Sequence, residues 1–146
     1  MVSTASPAPS CMAIEQEIQA KGLTAPRVTP DHIESIIASE HYFTAQNGVR
    51  GEQFETKFAD EVDYGPEALD LLTFCVLVLR NGFTVTGESA CASPENFDPE
   101  IGRKIARENA VNKIWMLEGY LLKQRLHDDR SDAWGNEDDC QRALEG

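Results

Sequence analysis

Residues 94–120 concentrate the side chains best suited to hold a small anion. Pro94 to Asp98 lead into a predicted helix start, where free amides and the helix dipole favour negative charge. Arg103, Lys104 and Arg107 follow within two turns. Asn109 and Asn112 add amides able to read a base or ribose edge, and Phe97, Trp115 and Tyr120 offer stacking faces. Such a set suits a nucleotide: phosphate on a guanidinium, ring on an aromatic face, polar edge on an amide. The expected ligand contacts are therefore Phe97, Arg103, Lys104, Arg107, Asn109, Asn112 and Trp115. Each also has a structural use. Trp115 lies in an apolar stripe, Phe97 can brace the helix start, and Arg103 and Arg107 can pair with Glu100 and other acids.

Catalytic signatures are missing. No glycine-rich dinucleotide loop, phosphate-binding loop, serine elbow or His-Glu-x-x-His motif occurs. His32, His41 and His127 lack partners at catalytic spacing; His32 reads as a surface helix residue and His127 as a solvated one. Cys11, Cys75, Cys91 and Cys140 form no Cys-x-x-Cys pair and no cluster with histidine. Neither a zinc site nor a disulfide framework is expected, and a reducing cytoplasmic setting is the default. The expected chemistry is binding without catalysis, metal or cofactor.

The chain has 146 residues, enough for one domain. Its 25 acidic residues outweigh 13 Lys plus Arg, for a net charge of -12. That excludes long nucleic acid and anionic membrane surfaces as partners, since both need clustered cations. No apolar run approaches the ~18 residues of a membrane helix, and Met1 to Cys11 lacks the pattern of a secretory signal. The charge is uneven. Residues 51–70 carry seven acids and one base, and residues 127–146 carry seven acids and two bases. Residues 100–126 carry six bases and three acids. The acidity belongs to appendages around a locally basic helix.

The elements that must position these groups are few. Residues 1–28 read as a disordered or weakly helical arm, with a short helix over 14–21 closed by Gly22. Residues 29–126 read as one α+β domain. Thr29-Pro30-Asp31 starts a helix that Ile33, Ile36 and Ile37 carry to about Glu40. His41 to Ala45 reads as a short strand. Residues 46–70 read as an exposed acidic insertion, part of it docked by Phe54, Phe58 and Tyr64. Asn81-Gly82 predicts a β-hairpin with a two-residue loop, which pairs Val78 with Val85 and puts Cys75 and Cys91 on opposite faces. The first strand is apolar on both sides, so both faces need cover. Asp98-Pro99-Glu100 opens a long helix to about Leu126 with two apolar stripes. Ala106, Ala110, Ile114, Leu117 and Leu121 form one; Ile101, Ile105, Val111, Trp115, Leu122 and Leu126 form the other. Too little chain remains to cover both, which predicts a homo-oligomer, dimer or higher. Gly102 and Gly119 inside the helix imply a close approach or an uncompensated cost. Residues 127–146 read as an acidic flexible tail.

The block NGFTVTGESAC, PENFD, GRKIA and KIW.LEGYLL within residues 75–126 closely resembles the gp-forty-nine-like family of small tailed-phage proteins. TPDHIESIIASEHYFT at 29–44 resembles that family's N-terminal element. The resemblance implies a phage or prophage protein acting in the host cytoplasm. The expected architecture, a hairpin or small sheet packed with a long C-terminal helix and a shorter N-terminal helix, is similar to that of phage anti-Thoeris sponge proteins. Those proteins sequester cyclic ADP-ribose signals, so the resemblance implies a non-enzymatic binder of a nucleotide-derived defence signal of that type or of a cyclic dinucleotide. Two alternatives stand beside it. One is an acidic protein that inhibits a host protein, for instance by DNA mimicry. The other is a structural component of the virion.

Overall fold

The computed structural model describes residues 9–61 and 65–144. In chain order the elements are α1 (Pro9–Ala20), α2 (Pro30–Ser35), β1 (Ile37–Thr44), α3 (Ala45–Thr56), β2 (Leu72–Leu79), β3 (Thr84–Ala90) and α4 (Pro99–Leu144), with three short 3-10 turns. The strands form one antiparallel sheet in the order β1-β2-β3, and α4 crosses one face of it. This is an α+β fold of a small sheet, a long C-terminal helix and shorter N-terminal helices.

The Asn81-Gly82 turn forms, with one residue more than its sequence suggests. Leu79 N–H donates to Phe83 O (2.8 Å) and Gly82 N–H to Leu79 O (2.9 Å), so Arg80, Asn81 and Gly82 make a three-residue loop. Only Gly82 takes a positive φ, +86°, the signature of a type I turn closed by a left-handed glycine. Asn81 Oδ1 accepts from the Phe83 amide (3.0 Å), which secures that geometry. The register therefore shifts by one, and Leu77 pairs with Val85, Cys75 with Gly87 and Val78 with Thr84. A one-residue shift exchanges the faces of β3. Cys91, whose amide bonds Leu71 O, then belongs to the same face as Cys75 rather than the opposite one. Both thiols are free, as is Cys11; Cys140 lies outside the described side chains.

One sheet face holds the core. Cys75, Leu77 and Leu79 of β2 and Val85 of β3 meet Ala106, Ala110 and Ile114 of α4, with Ile33 of α2 completing the cluster. Each large side chain here contributes about 1.5–3 kcal/mol by leaving water. Burial pushes the Cys75 thiol up to about 11, so it behaves as an inert apolar group. The other face, with Phe74, Val76 and Val78, is half-buried. At its end Phe43 stacks on Phe74 at 5.5 Å.

Several elements differ from expectation. The helix started by Thr29 and Pro30 stops at Ser35, because Arg80 captures its end: the guanidinium donates to Ser35 O and the Arg80 amide to Ile36 O (2.9 Å). Ile37 to Glu40 then join β1, where β-branched and aromatic residues pair with β2. The insertion is not a bare excursion, since residues 45–56 form α3, started by a capping box between Thr44 and Asn47. Its buried side chains are Gln46 and Gln53, while Phe54 (59% exposed) and Phe58 (79%) do not dock. Tyr64 lies outside the described residues, as does the expected disorder of residues 1–8; α1 itself reaches back to Pro9. Residues 127–144 continue α4 as helix, giving it 46 residues and a length of about 70 Å. Of the two apolar stripes, Ala106, Ala110 and Ile114 are buried, and Val111 and Trp115 pack beside the core. Ile101, Ile105, Leu117 and Leu121 stay 42–55% exposed.

The tightest packing lies at Gly87. A methyl group there would run into the Ala106 carbonyl and the Ala110 amide of α4. At Gly102 a Cβ would lie 3.0 Å from Thr73 Oγ1, whereas at Gly119 it would meet nothing within 4 Å. Gly87→Ala is therefore expected to lower stability by about 3 kcal/mol or more, and Gly119→Ala to raise it by up to about 1 kcal/mol. Urea unfolding of the two variants checks both signs.

Candidate functional site

Arg107 does not wait for a ligand. It rises from α4 toward α2 and β1, where its guanidinium meets two carboxylates, Glu34 Oε2 at 2.7 Å and Glu40 Oε1 at 2.8 Å. Its side chain is only 14% exposed. Tyr42 adds a hydrogen bond from its hydroxyl to Glu40 Oε2 (2.8 Å). Burial alone would raise the Glu40 carboxyl, but hydrogen bonds from Arg107 and Tyr42 and the Arg107 charge hold it below its ordinary range. Burial and the bond to Glu40 push the Tyr42 phenol well above its usual range. The cluster fastens α4 to α2 and to the edge strand β1. A phosphate reaching Arg107 would have to displace two carboxylates that are already paired.

The other expected contacts do not converge with it. Asp98 Oδ1 accepts from the Glu100 (2.8 Å) and Ile101 (3.2 Å) amides, so the helix start is filled by its own cap. Lys104 pairs with Glu100 at 3.0 Å, exposed. Arg103 is exposed, with no ion pair among the described residues. Asn109 donates to Glu88 O (2.8 Å) and Lys113 to Thr86 O (2.6 Å), which occupies outward carbonyls of the edge strand β3. Phe97 is half-buried over Gly102. Arg103, Lys104, Asn109, Asn112 and Trp115 spread over more than half of the helix circumference. His32 is more than a surface residue: its Nε2 lies 2.7 Å from Glu118 Oε2 and ties α2 to α4.

Two of the seven do share a site. Asn112 and Trp115 line a recess of about 350 Å³ between α1 and α4. Ile14, Ile18, Val28 and Pro30 supply its apolar walls, with Cys11 and Glu15 beside them. The α1 wall is held by a two-pronged ion pair in which Arg27 donates to both Glu15 oxygens (2.6 and 2.7 Å). Hydrogen bonds from Arg27, then Gln19, keep the Glu15 carboxylate below its usual range. The recess thus offers one aromatic face, one amide, one fixed carboxylate and an apolar floor. Sequence reasoning missed its α1 side, though Ile14 and Ile18 at four-residue spacing signal an apolar face. Among the described residues, no group of three His, Cys, Asp or Glu is placed to hold a metal ion.

The Arg107 cluster makes a pH-dependent prediction. Removing the cation leaves Glu34 and Glu40 facing each other, at a cost of about 3 kcal/mol near neutral pH. A crowded carboxylate pair takes up a proton readily, so Arg107→Met should approach the wild type in stability as pH falls toward about 4. In the wild type the lowered Glu40 works the other way. Its contribution is present above the ordinary carboxylate range and is lost as pH falls through the lowered value. Unfolding curves of both proteins between pH 4 and 8 test the narrowing gap.

No curated protein and no solved structure matches the chain. A family model matches residues 28–126. The match takes in α2, the sheet, α3 and the part of α4 that covers the sheet, and leaves out α1 and the acidic continuation of α4. Covering more than half of the sequence, it shows that the chain belongs to the phage protein (N4 Gp49/phage Sf6 gene 66) family.

Proposed function

We propose that this phage protein binds and holds a small nucleotide-type ligand in the infected cell without converting it. The observation that carries the reading is the pairing of Asn112 with Trp115 on the wall of the α1–α4 recess. Its volume falls within the range of small-molecule sites, roughly 300–1,000 Å³. A base ring would lie on the Trp115 indole against Ile14 and Ile18. Its polar edge would meet the Asn112 amide and the Glu15 carboxylate, and its phosphate would face water. The resemblance to signal-sequestering phage proteins favours a cyclic ADP-ribose or cyclic dinucleotide signal as the ligand.

A second reading rests on the end of α3 and the turn that follows it. Phe54 and Phe58 stand exposed beside Glu52, Glu55, Asp60 and Glu61, a combination that suits a basic, partly apolar patch on a host protein. Exchanging both phenylalanines for serine should abolish capture of such a partner and leave ligand retention unchanged.

Incubation with TIR-derived and cyclic oligonucleotide signals, followed by heat denaturation and mass spectrometry, tests the first reading. Intact ligand should be released from the wild type, and Asn112→Leu should retain at least about tenfold less, since a buried polar edge loses its partner. Arg103→Ala with Lys104→Ala should retain as much as the wild type. Absence of retained nucleotide in the wild type would contradict the proposal, and a cleaved product would show an enzyme.

A further inference from the structure

α1 stands apart from the rest of the molecule. It precedes residues 28–126, which carry the family match, and it supplies one wall of the recess through Cys11, Ile14, Glu15 and Ile18. Its end is self-contained. Gly22 takes a positive φ of +65°, its amide donates to Gln19 O (3.0 Å), and the Leu23 amide donates to Ile18 O (3.3 Å). That helix stop needs nothing from α4. The side-chain bonds of Gln19 to Glu15 and of Lys21 to Glu17 are local too, each spanning four residues. Among the described residues, no hydrogen bond or ion pair joins α1 to α4.

Two contacts hold α1 over the recess. The first is apolar and slight: Ile14 lines the recess yet is 60% exposed, and about 350 Å³ stays open between α1 and α4. The second is the ion pair of Arg27 with Glu15, whose side chains are 28% and 13% exposed. Arg27 lies just before the start of α2 at Pro30, so the pair ties α1 to the entry of α2. A free helix of twelve residues is marginal in water. α1 thus has the features of an element that opens locally while the core stays folded. The opposite wall is firm. α2, which carries Pro30, is fixed to α4 by His32 on Glu118 (2.7 Å) and by Glu34 on Arg107 (2.7 Å). We propose that α1 is a lid on the recess, latched by Arg27 and Glu15, and that a ligand enters and leaves by its opening. The proposal rests on the recess as the ligand site. Residues 21–27 absorb the backbone change, while Pro30, Asn112 and Trp115 keep their places. Once the lid is down, a ring on the Trp115 indole is covered from its far side, and release waits for the latch.

Hydrogen–deuterium exchange of the full chain tests the lid without any ligand. Wild-type α1 amides from Ala13 onward should exchange at least about a hundredfold faster than those of β2. Arg27→Met should speed α1 by about a further fivefold and leave β2 unchanged, and Glu15→Arg with Arg27→Glu should restore the wild-type rate to within about threefold. In a Trp134→Phe background, which leaves Trp115 as the one tryptophan, Arg27→Met should raise acrylamide quenching of its fluorescence. With cyclic ADP-ribose as the probe, α1 exchange should slow in the wild type, and Arg27→Met should release the probe about fivefold faster. An α1 that exchanges as slowly as β2, or that ignores Arg27→Met, overturns the lid. So does faster α1 exchange with no change in Trp115 quenching, because α1 would then not cover the recess. Failure of the wild type to retain the probe overturns the ligand reading and, with it, the entry role of α1. The exchange and quenching results keep that failure separate from a rigid α1.

Discussion

The structure depends on how closely α4 approaches β3. Gly87 lets the helix backbone come within contact of the strand, and Ala106 and Ala110 keep the facing side of the helix small. That contact sets both the height and the rotation of α4. With the rotation set, Ile114 enters the core, Arg107 turns toward Glu34 and Glu40, and Asn109 and Lys113 reach the carbonyls of β3. Asn112 and Trp115 are turned toward α1 by the same constraint. One glycine in a strand thus allows the close approach from which these side chains reach their partners.

Most of those polar groups serve the fold. The edge of β3 is guarded by side chains instead of another strand, which explains why an amide and an ammonium sit in the middle of a sheet-covering helix. Arg107 compensates two carboxylates from elements far apart in sequence and so joins α2, β1 and α4 at one point. The long helix therefore divides by function. Arg107, Asn109 and Lys113 serve the fold, and what remains free is the exposed Arg103, the side toward α1 and the overhang.

The family-like core was largely legible. The hairpin, the cap at Thr29, the start at Asp98 and the buried stripe of Ala106, Ala110 and Ile114 all follow from local sequence. The errors have local physical causes. Asn81-Gly82 fits two loop lengths, and only the φ of Asn81 decides between them. Ile33, Ile36 and Ile37 have helical spacing, but the helix keeps only Ile33, and at Ile37 pairing with β2 won. α3 escaped notice because Gly48 and Gly51 weaken the helical signal and its buried residues are glutamines, inverting the usual pattern. The basic cluster of the sequence divides in the fold for a different reason. Arg103, Lys104 and Arg107 are neighbours in sequence, while the carboxylates that hold Arg107 come from residues 34 and 40 and are invisible without the fold.

In the recess between α1 and α4, polar groups face a space that no side chain fills. Its aromatic face and amide belong to α4 and its floor to α1, whose Glu15 is tied by Arg27 to the segment leading into α2. The claim that ligand binding resides here, and not on the exposed basic turn of α4, can be read directly by NMR. In a titration with a retained nucleotide, the Trp115 indole N–H and the Asn112 side-chain amide should shift most, with Arg103 and Lys104 unmoved. Shifts confined to residues 98–104, or spread along the outer side of α4, would contradict it.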